Sequence, residues 1–174
     1  MASNPFPSDR IVTGSLVYAL YGMDEQRAVL LLKRNKMPHQ GLWSPPGGKL
    51  DIGESPAECA HREMFEETGL GLSDVVLRGV LTVVDRAFPI HWLLFVYRAA
   101  VDVSNEIVAP LQYPALPDCP EGELRWIKLN DLAQYPRPYA DTLYFPRVLD
   151  DSPIFQSKFL YDTPETLVGE WHYS

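Results

Sequence analysis

The chain has few cysteines, no long apolar run and no excess of positive charge, and each shortage excludes a class of protein. Its 174 residues include two cysteines, Cys59 and Cys119. These are too few and too far apart for a disulfide scaffold or a structural zinc site. The longest apolar stretches, such as residues 92–97, have the length of a strand and fall far short of the roughly 18 residues that span a bilayer. We therefore expect a cytoplasmic protein without a membrane partner.

Acidic residues outnumber basic ones, 23 against 15, which gives a formal net charge of −8. This balance argues against a nucleic-acid polymer or an anionic membrane surface as the main partner, because both bind basic faces. The hydrophobic and charged fractions, 46% and 22%, are those of an ordinary globular protein. Residues 1–10 lack the apolar segment of a signal peptide and read as a loose leader. We expect residues 11–174 to form a single domain of unknown oligomeric state.

The hydrophobic pattern predicts a mixed α/β domain. Loops are expected at 35–54 and 110–120, which are rich in proline and glycine. Strands are predicted at 11–20, 27–32, 75–85, 90–103, 124–129, 155–161 and 166–171, and helices at 55–68 and 141–149, with a brief helix capped by Asn130.

The helix at 55–68 carries the first chemical signal. Ser55 and Glu58 have the spacing of a capping box, with Pro56 at the first helical position. At 100° per residue, Glu63, Glu66 and Glu67 then lie on one side of the helix. Like charges at this spacing repel one another, so an isolated helix would not favour the arrangement. A divalent cation with oxygen ligands would stabilise it. The alternative is a solvated acidic face.

The segment around this helix resembles the Nudix box, Gly-x5-Glu-x7-Arg-Glu-U-x-Glu-Glu-x-Gly-U, in which U is aliphatic. Every fixed position matches: Gly48, Glu54, Arg62, Glu63, Glu66, Glu67 and Gly69, with Met64 and Leu70 at the U positions. The resemblance implies an α/β/α sandwich around a mixed sheet, and hydrolysis of a nucleoside diphosphate linked to another moiety. It also implies Mg²⁺, or Mn²⁺, as cofactor.

The resemblance implies roles for these residues. Glu63, Glu66 and Glu67, with the Gly48 carbonyl, would be the metal ligands. Arg62 would orient Glu54 and the carboxylate cluster. A box glutamate or a glutamate from a distal loop would be the general base. Glu121 is the distal candidate, and a surface carboxylate without a catalytic role is the equal alternative.

The order of features is similar to the MutT-like branch, the oxidised-purine (8-oxo-dGTP) triphosphatases. Trp43 precedes Gly48 by five residues, as in that branch, and Asp141 corresponds to a base-reading aspartate. That branch has a pair of adjacent aspartates and a base-reading asparagine. In this chain Ala140 takes the place of the second aspartate, and Ser44 takes the place of the asparagine. The candidates for base stacking are Trp43, Phe88, Tyr139 and Tyr144, and those for phosphate contacts are Lys33, Arg34 and Lys49.

Three functional hypotheses follow. The first is metal-dependent hydrolysis of a nucleoside triphosphate, with an oxidised or modified purine as one option, to a monophosphate and pyrophosphate. The second is hydrolysis of ADP-ribose or a nucleotide sugar, with the proline-rich loop 104–122 covering a second moiety. The third is a catalytically inactive Nudix fold that serves as a binding or regulatory module.

Overall fold

The computed structural model describes residues 11–86, 90–102, 112–163 and 166–173. The leader 1–10, the stacking candidate Phe88 and part of the proline-rich loop therefore lie outside the described residues. The strands are Ile11–Tyr21 (β1), Ala28–Arg34 (β2), Trp43–Ser44 (β3), Gly47–Lys49 (β4), Gly71–Asp85 (β5), Ile90–Asp102 (β6), Gly122–Lys128 (β7), Phe155–Thr163 (β8) and Thr166–Tyr173 (β9). The helices are Pro56–Thr68 (α1) and Tyr139–Leu149 (α2), and short 3₁₀ helices cover Asp24–Gln26 and Leu129–Gln134.

The strands form one mixed sheet in the order β3-β2-β1-β6-β5-β8-β9, with β4 added on β1 and β7 on β2. The central pairs β1–β6 and β5–β8 are parallel, whereas β5–β6 and β8–β9 are antiparallel. In the described part of the chain, no helix is long and apolar enough to cross a membrane.

Alternation along β1 divides the core between the two faces of the sheet. Tyr18 and Leu20 belong to one buried cluster, with α2, and Val17 and Ala19 belong to the other, with α1. Successive strand residues point to opposite faces, so each helix covers one face. The predicted α/β/α sandwich around a mixed sheet is confirmed.

The element boundaries differ from the sequence prediction at a few places. The segment 35–54 contains the short strands β3 and β4, which the proline and glycine content concealed. Asn130 does not cap a helix, because the 3₁₀ turn already begins at Leu129. Strand β5 begins at Gly71, four residues before the predicted start, and contains register shifts.

Helix α1 has both predicted ends. The Ser55 hydroxyl accepts from the Glu58 amide at 3.3 Å, and the Glu58 carboxylate accepts from the Ser55 amide at 2.8 Å. Gly69 ends the helix with φ of 71°, a left-handed conformation that glycine adopts without a Cβ penalty. The Ser15 hydroxyl donates to the Pro56 carbonyl at 2.6 Å, which fastens the start of the helix to β1. The orientation of the acidic side chains is thereby set.

Candidate active site

Arg62 lies at the centre of a network of box residues. Its Nε and Nη2 donate to the two oxygens of Glu54 at 2.6 and 3.0 Å, a bidentate pair. Its Nη1 donates to Glu63 at 2.9 Å and to Glu66 at 3.1 Å. A further bond from Nη2 reaches the Lys49 carbonyl at 3.0 Å. One guanidinium therefore joins helix α1 to the loop before it.

The charge of Arg62 changes the acidity of its partners. Its hydrogen bonds, followed by the Asp51 backbone amide, hold the pKa of Glu54 below its ordinary value. The pKa of Arg62 is raised, chiefly by the bond to Glu54. Glu54 is therefore a stable anion paired to a stable cation, which makes it a structural partner of the cluster.

The carboxylate of Glu63 lies directly against the Cα of Gly48, so a Cβ at position 48 would overlap it. This close approach explains why a glycine stands at this position. The side chain of Glu63 is only 16% exposed. Burial raises its pKa, with smaller contributions from Glu66 and Glu121, although the bond to Arg62 opposes the change.

Glu67 is the most buried carboxylate of the box. Its pKa is raised to about 8, chiefly by burial and to a smaller extent by Glu121 and Glu63, against the effect of the Gly47 amide, which donates at 3.2 Å. Gly47 has φ of 149°, and a Cβ there would collide with the Ser15 carbonyl. The Gly47 amide can therefore reach Glu67 only because residue 47 is a glycine. A neighbouring cation would favour the ionised form of the Glu67 carboxyl.

Glu66 takes a different position from its neighbours. Its side chain is 59% exposed and bonds Arg62 at the surface. It does not line the cavity that Glu63 and Glu67 share. Within the described ranges, no three His, Cys, Asp or Glu side chains converge closely enough to enclose a metal ion. Glu66 would have to turn away from Arg62 to act as a ligand.

Glu63, Glu67 and Glu121 open onto one cavity of about 620 Å³, a volume typical of ligand pockets. Glu121 comes from the loop before β7, and its backbone carbonyl accepts from the Asn35 amide at 2.9 Å. Arg34, at the end of β2, also lines this charged part of the cavity, and its Nε donates to the Pro38 carbonyl. The described residues 112–118 do not line the cavity, and there Tyr113 stacks on Trp126 instead.

A second part of the cavity is apolar. Cross-strand register brings Leu81 opposite Leu94, Val83 opposite Trp92 and Val83 beside Phe159, so β5, β6 and β8 contribute one continuous wall. These wall residues were not predicted from the sequence. Alternation within each strand was visible in the sequence, but only the register shows which alternate positions meet.

Helix α2 closes the apolar part with Asp141 and Tyr144. Burial raises the pKa of Asp141 to about 6, although the Tyr144 hydroxyl, donating at 2.9 Å, and the charge of Arg137 favour the ionised form. The groups that perturb Asp141 are not those that perturb Glu67. The cavity therefore has two electrostatically separate parts, one at the box and one at α2.

Of the remaining residues predicted to contact the substrate, some line the cavity and others do not. Ser44 and Lys49 line the cavity, and the Lys49 ammonium lies 5.7 Å from the Trp92 ring centroid. Trp43 does not line it. Its ring is 4% exposed and packs between Tyr135 and Arg125, so the expectation that it stacks on a base is not supported.

Two further candidates lie elsewhere. Tyr139 is 60% exposed and outside the cavity. Lys33 points away from the cavity, toward a groove that it shares with Cys119 and Leu124.

Comparison with known proteins agrees with this geometry. The model of the NUDIX domain matches residues 13–147, which is most of the chain. The chain belongs to the Nudix hydrolase family. It is 29% identical to the uncharacterized Nudix hydrolase YvcI of Bacillus subtilis over 140 residues, 79% of this chain and 80% of that protein.

Two other similarities concern MutT-like proteins. The chain is 32% identical over 116 residues to "Putative 8-oxo-dGTP diphosphatase 3" of Mycobacterium tuberculosis. That match covers 65% of this chain but only half of the relative. The crystal structure of a MutT protein from Bacillus halodurans superposes with a TM-score of 0.71 at 28% identity, over 93% of this chain and 96% of that one. This Nudix hydrolase therefore has the fold of a MutT protein along nearly its whole length.

The donor set fits a divalent cation of the kind that Nudix hydrolases generally use. Glu63 and Glu67 on the cavity, with the backbone carbonyl of Gly48, offer the hard oxygen ligands that Mg²⁺ and Mn²⁺ prefer. Burial, with smaller contributions from the nearby Glu121 and Glu63 carboxylates, raises the pKa of Glu67 in the metal-free protein. A bound cation would favour the ionised forms and remove the repulsion.

Proposed function

We propose that this Nudix hydrolase cleaves a nucleoside triphosphate, including oxidised or modified purine forms, to a nucleoside monophosphate and pyrophosphate. The observation that carries the proposal is the two-part cavity. Its charged part has the box carboxylates and Glu121, and its apolar part has Asp141 beside an aromatic wall. A triphosphate and a base joined by a sugar have the same division between charged and apolar groups. The similarity to MutT-like relatives supports this substrate class.

In this proposal the metal site is formed by Glu63, Glu66, Glu67 and the Gly48 carbonyl. A divalent cation bound there would polarise a phosphoryl oxygen and lower the pKa of a bound water. Phosphoryl transfer needs mainly positioning and charge stabilisation, so most of the protein's contribution lies in rigid placement of these groups. Arg62 supplies part of that rigidity, because it holds Glu54 and Glu63 at once, whereas Glu66 would have to leave its bond to Arg62 to join the site.

The protein's own groups would handle the proton and the phosphates. Glu121 lines the cavity with Glu63 and Glu67 and is our candidate to accept the proton of the attacking water. Lys49 and Arg34, two cations on the same cavity, would contact the phosphate oxygens. Asp141, in the apolar part, would read the base edge.

The test is a panel of normal and oxidised nucleoside triphosphates, ADP-ribose and nucleotide sugars, each assayed with Mg²⁺, with Mn²⁺ and after chelation. We expect metal-dependent release of a monophosphate and pyrophosphate from at least one triphosphate. Release of two monophosphates from ADP-ribose or a nucleotide sugar, with no triphosphate cleaved, would overturn the proposal in favour of the second hypothesis.

Arg62→Lys is expected to weaken metal activation about 10–100-fold, the range for loss of an outer-shell partner. A lysine has one nitrogen and cannot replace the bidentate bond to Glu54 together with the bonds to Glu63 and Glu66. The measurement is hydrolysis as a function of Mg²⁺ concentration. Arg98→Lys is the matched control, because Arg98 bonds Asp151 and the Leu149 carbonyl outside the cavity. An unchanged Mg²⁺ requirement in Arg62→Lys would contradict the role of Arg62.

Glu121→Gln is expected to lower kcat by about 10²–10⁴-fold with little change in KM, the usual contribution of a general base. Steady-state kinetics on the best substrate of the panel measures both constants. Glu123→Gln is the control, since Glu123 is two residues away and pairs with Arg125. If both variants keep the wild-type kcat, a box carboxylate accepts the proton instead.

A further inference from the structure

Two buried tyrosines form a hydrogen-bonded chain that ends at Asp141. Tyr18 on β1 and Tyr144 on α2 are each 1% exposed. Their hydroxyls are 3.0 Å apart, and the Tyr144 hydroxyl lies 2.9 Å from Oδ1 of Asp141. We call these two residues the tyrosine pair. They connect the centre of the sheet to the cavity, and the hydrolytic chemistry at the box does not need them.

Packing fixes both members of the tyrosine pair. The Tyr18 ring lies 5.0 Å from the Phe145 ring, centroid to centroid. The Tyr144 ring is stacked on Phe155 at 5.7 Å. Side chains with both rings and hydroxyls held in this way cannot follow a moving ligand. They therefore determine where the Asp141 carboxyl stands.

The direction of the hydrogen bonds follows from proton counting. Burial raises the pKa of both phenols well above the ordinary value, so each keeps its single proton. An ionised Asp141 has no proton to give, so Tyr144 donates to Asp141 and Tyr18 donates to Tyr144. Oδ1 is then occupied as an acceptor. A proton taken up by Asp141 would be placed on Oδ2.

The other groups around Asp141 act through charge. Arg137 lowers the pKa of Asp141 by its charge, and its Nε and Nη1 are buried without a hydrogen-bond partner among the described residues. Its guanidinium lies 5.1 Å from the Phe145 ring centroid. Tyr161 on β8, whose pKa is raised to about 12 by burial and then by Asp141 and Asp85, interacts with the Ala140 backbone. The hydroxyls of the tyrosine pair are thus the donors that orient the carboxyl.

We infer that Tyr18 and Tyr144 are positioning residues for base selection, which hold Asp141 so that Oδ2 meets the base edge as an acceptor when ionised and as a donor when protonated. This inference rests on the proposed function. At neutral pH the ionised form accepts from a ring N–H on the Watson–Crick edge, which guanine has at N1. Adenine presents a ring-nitrogen acceptor there and would bind the protonated form better.

The test compares Tyr144→Phe and Tyr18→Phe with the wild type. In the wild type, KM for a guanine nucleoside triphosphate should rise as the pH falls through about 6. Without the Tyr144 donor the ionised form loses a hydrogen bond, so the same rise should begin at higher pH. At pH 7 we expect KM about tenfold higher with kcat nearly unchanged, the size expected for a lost bond to a charged group. Tyr18→Phe should shift KM in the same direction by less.

A second readout does not depend on turnover. Carbonyl ¹³C NMR of labelled aspartate, assigned with Asp141→Asn, follows the titration of Asp141 directly, and its midpoint should move up in both variants. Tyr113→Phe is the matched control, because it removes a hydroxyl that donates at 3.0 Å to the Gln26 carbonyl outside the cavity. If Tyr144→Phe does not fold, Tyr18→Phe carries the test.

The outcomes are separable. An unchanged Asp141 titration and an unchanged KM profile in a folded Tyr144→Phe or Tyr18→Phe variant would overturn the role of the tyrosine pair. Failure of the wild type to hydrolyse any nucleoside triphosphate would overturn the proposed function instead, and the NMR titration would still decide whether the tyrosine pair controls Asp141.

Discussion

Replacing Glu67 by glutamine is expected to lower kcat/KM about a thousandfold or more, since a metal ligand contributes several kcal/mol to charge stabilisation in the transition state. The amide oxygen of the new side chain would still accept from the Gly47 amide, so the local structure should survive. The variant would lose the negative charge that we propose binds the metal ion. Steady-state kinetics with saturating Mg²⁺ measures the effect.

Measuring the thermal stability of Glu67→Gln distinguishes a catalytic defect from misfolding. Burial raises the folded-state pKa of Glu67 to about 8, above its ordinary value of 4.5. A raised carboxyl pKa means that folding favours the neutral form, and that stability is lost as the pH rises between these two values. Metal-free Glu67→Gln should therefore have a Tm at or above that of the wild type at pH 8. Glu170→Gln, an exposed change on β9, is the control. Full activity of Glu67→Gln would contradict the metal-ligand role.

Asp141→Asn is expected to raise the stability of the protein, with a clear pH dependence. The folded-state pKa of Asp141 is about 6 against an ordinary 3.8, again because of burial. The wild type therefore loses stability relative to the variant between pH 4 and pH 6, and the full difference remains above pH 6. A shift of this size corresponds to about 2–3 kcal/mol at pH 7.5. In a chain of this length that raises Tm by about 4–10 °C.

Thermal unfolding at a series of pH values checks this prediction. The Tm difference between Asp141→Asn and the wild type should be near zero at pH 4 and largest above pH 7. Asp118→Asn removes a carboxyl from an exposed loop position and should show no such trend. A Tm difference that does not change with pH would show that the buried charge is not its cause.

The box helix was largely predictable, because its signals are local. The capping box at Ser55 and Glu58, the glycine at position 69 and the helical spacing of the glutamates all act within a few residues. The longer strands were also predictable from alternation, whereas the short strands β3 and β4 were not. The orientation of Glu66 was not, because its bond to Arg62 competes with a position in the cavity.

Features that depend on contacts between residues far apart in the chain could not be predicted from the sequence. The burial of Trp43 depends on Tyr135 and Arg125, which lie about ninety residues later in the chain. The tyrosine pair joins positions 18 and 144 through the sheet and α2. No spacing rule connects residues so far apart, since their contact depends on strand order and register. The apolar wall of the cavity could not be predicted from the sequence for the same reason.

The parallel pairing of β1 with β6 has a consequence for folding during synthesis. Ile11 pairs with His91, so β1 leaves the ribosome long before its central neighbour exists. Hairpin contacts such as β1–β2 can form early, but closing the central pair requires a long loop, which slows folding in general. The wall from β8 is added later still, when residues 155–161 emerge. The complete cavity can therefore form only after residues 155–161 have been translated, well after the box helix and β1.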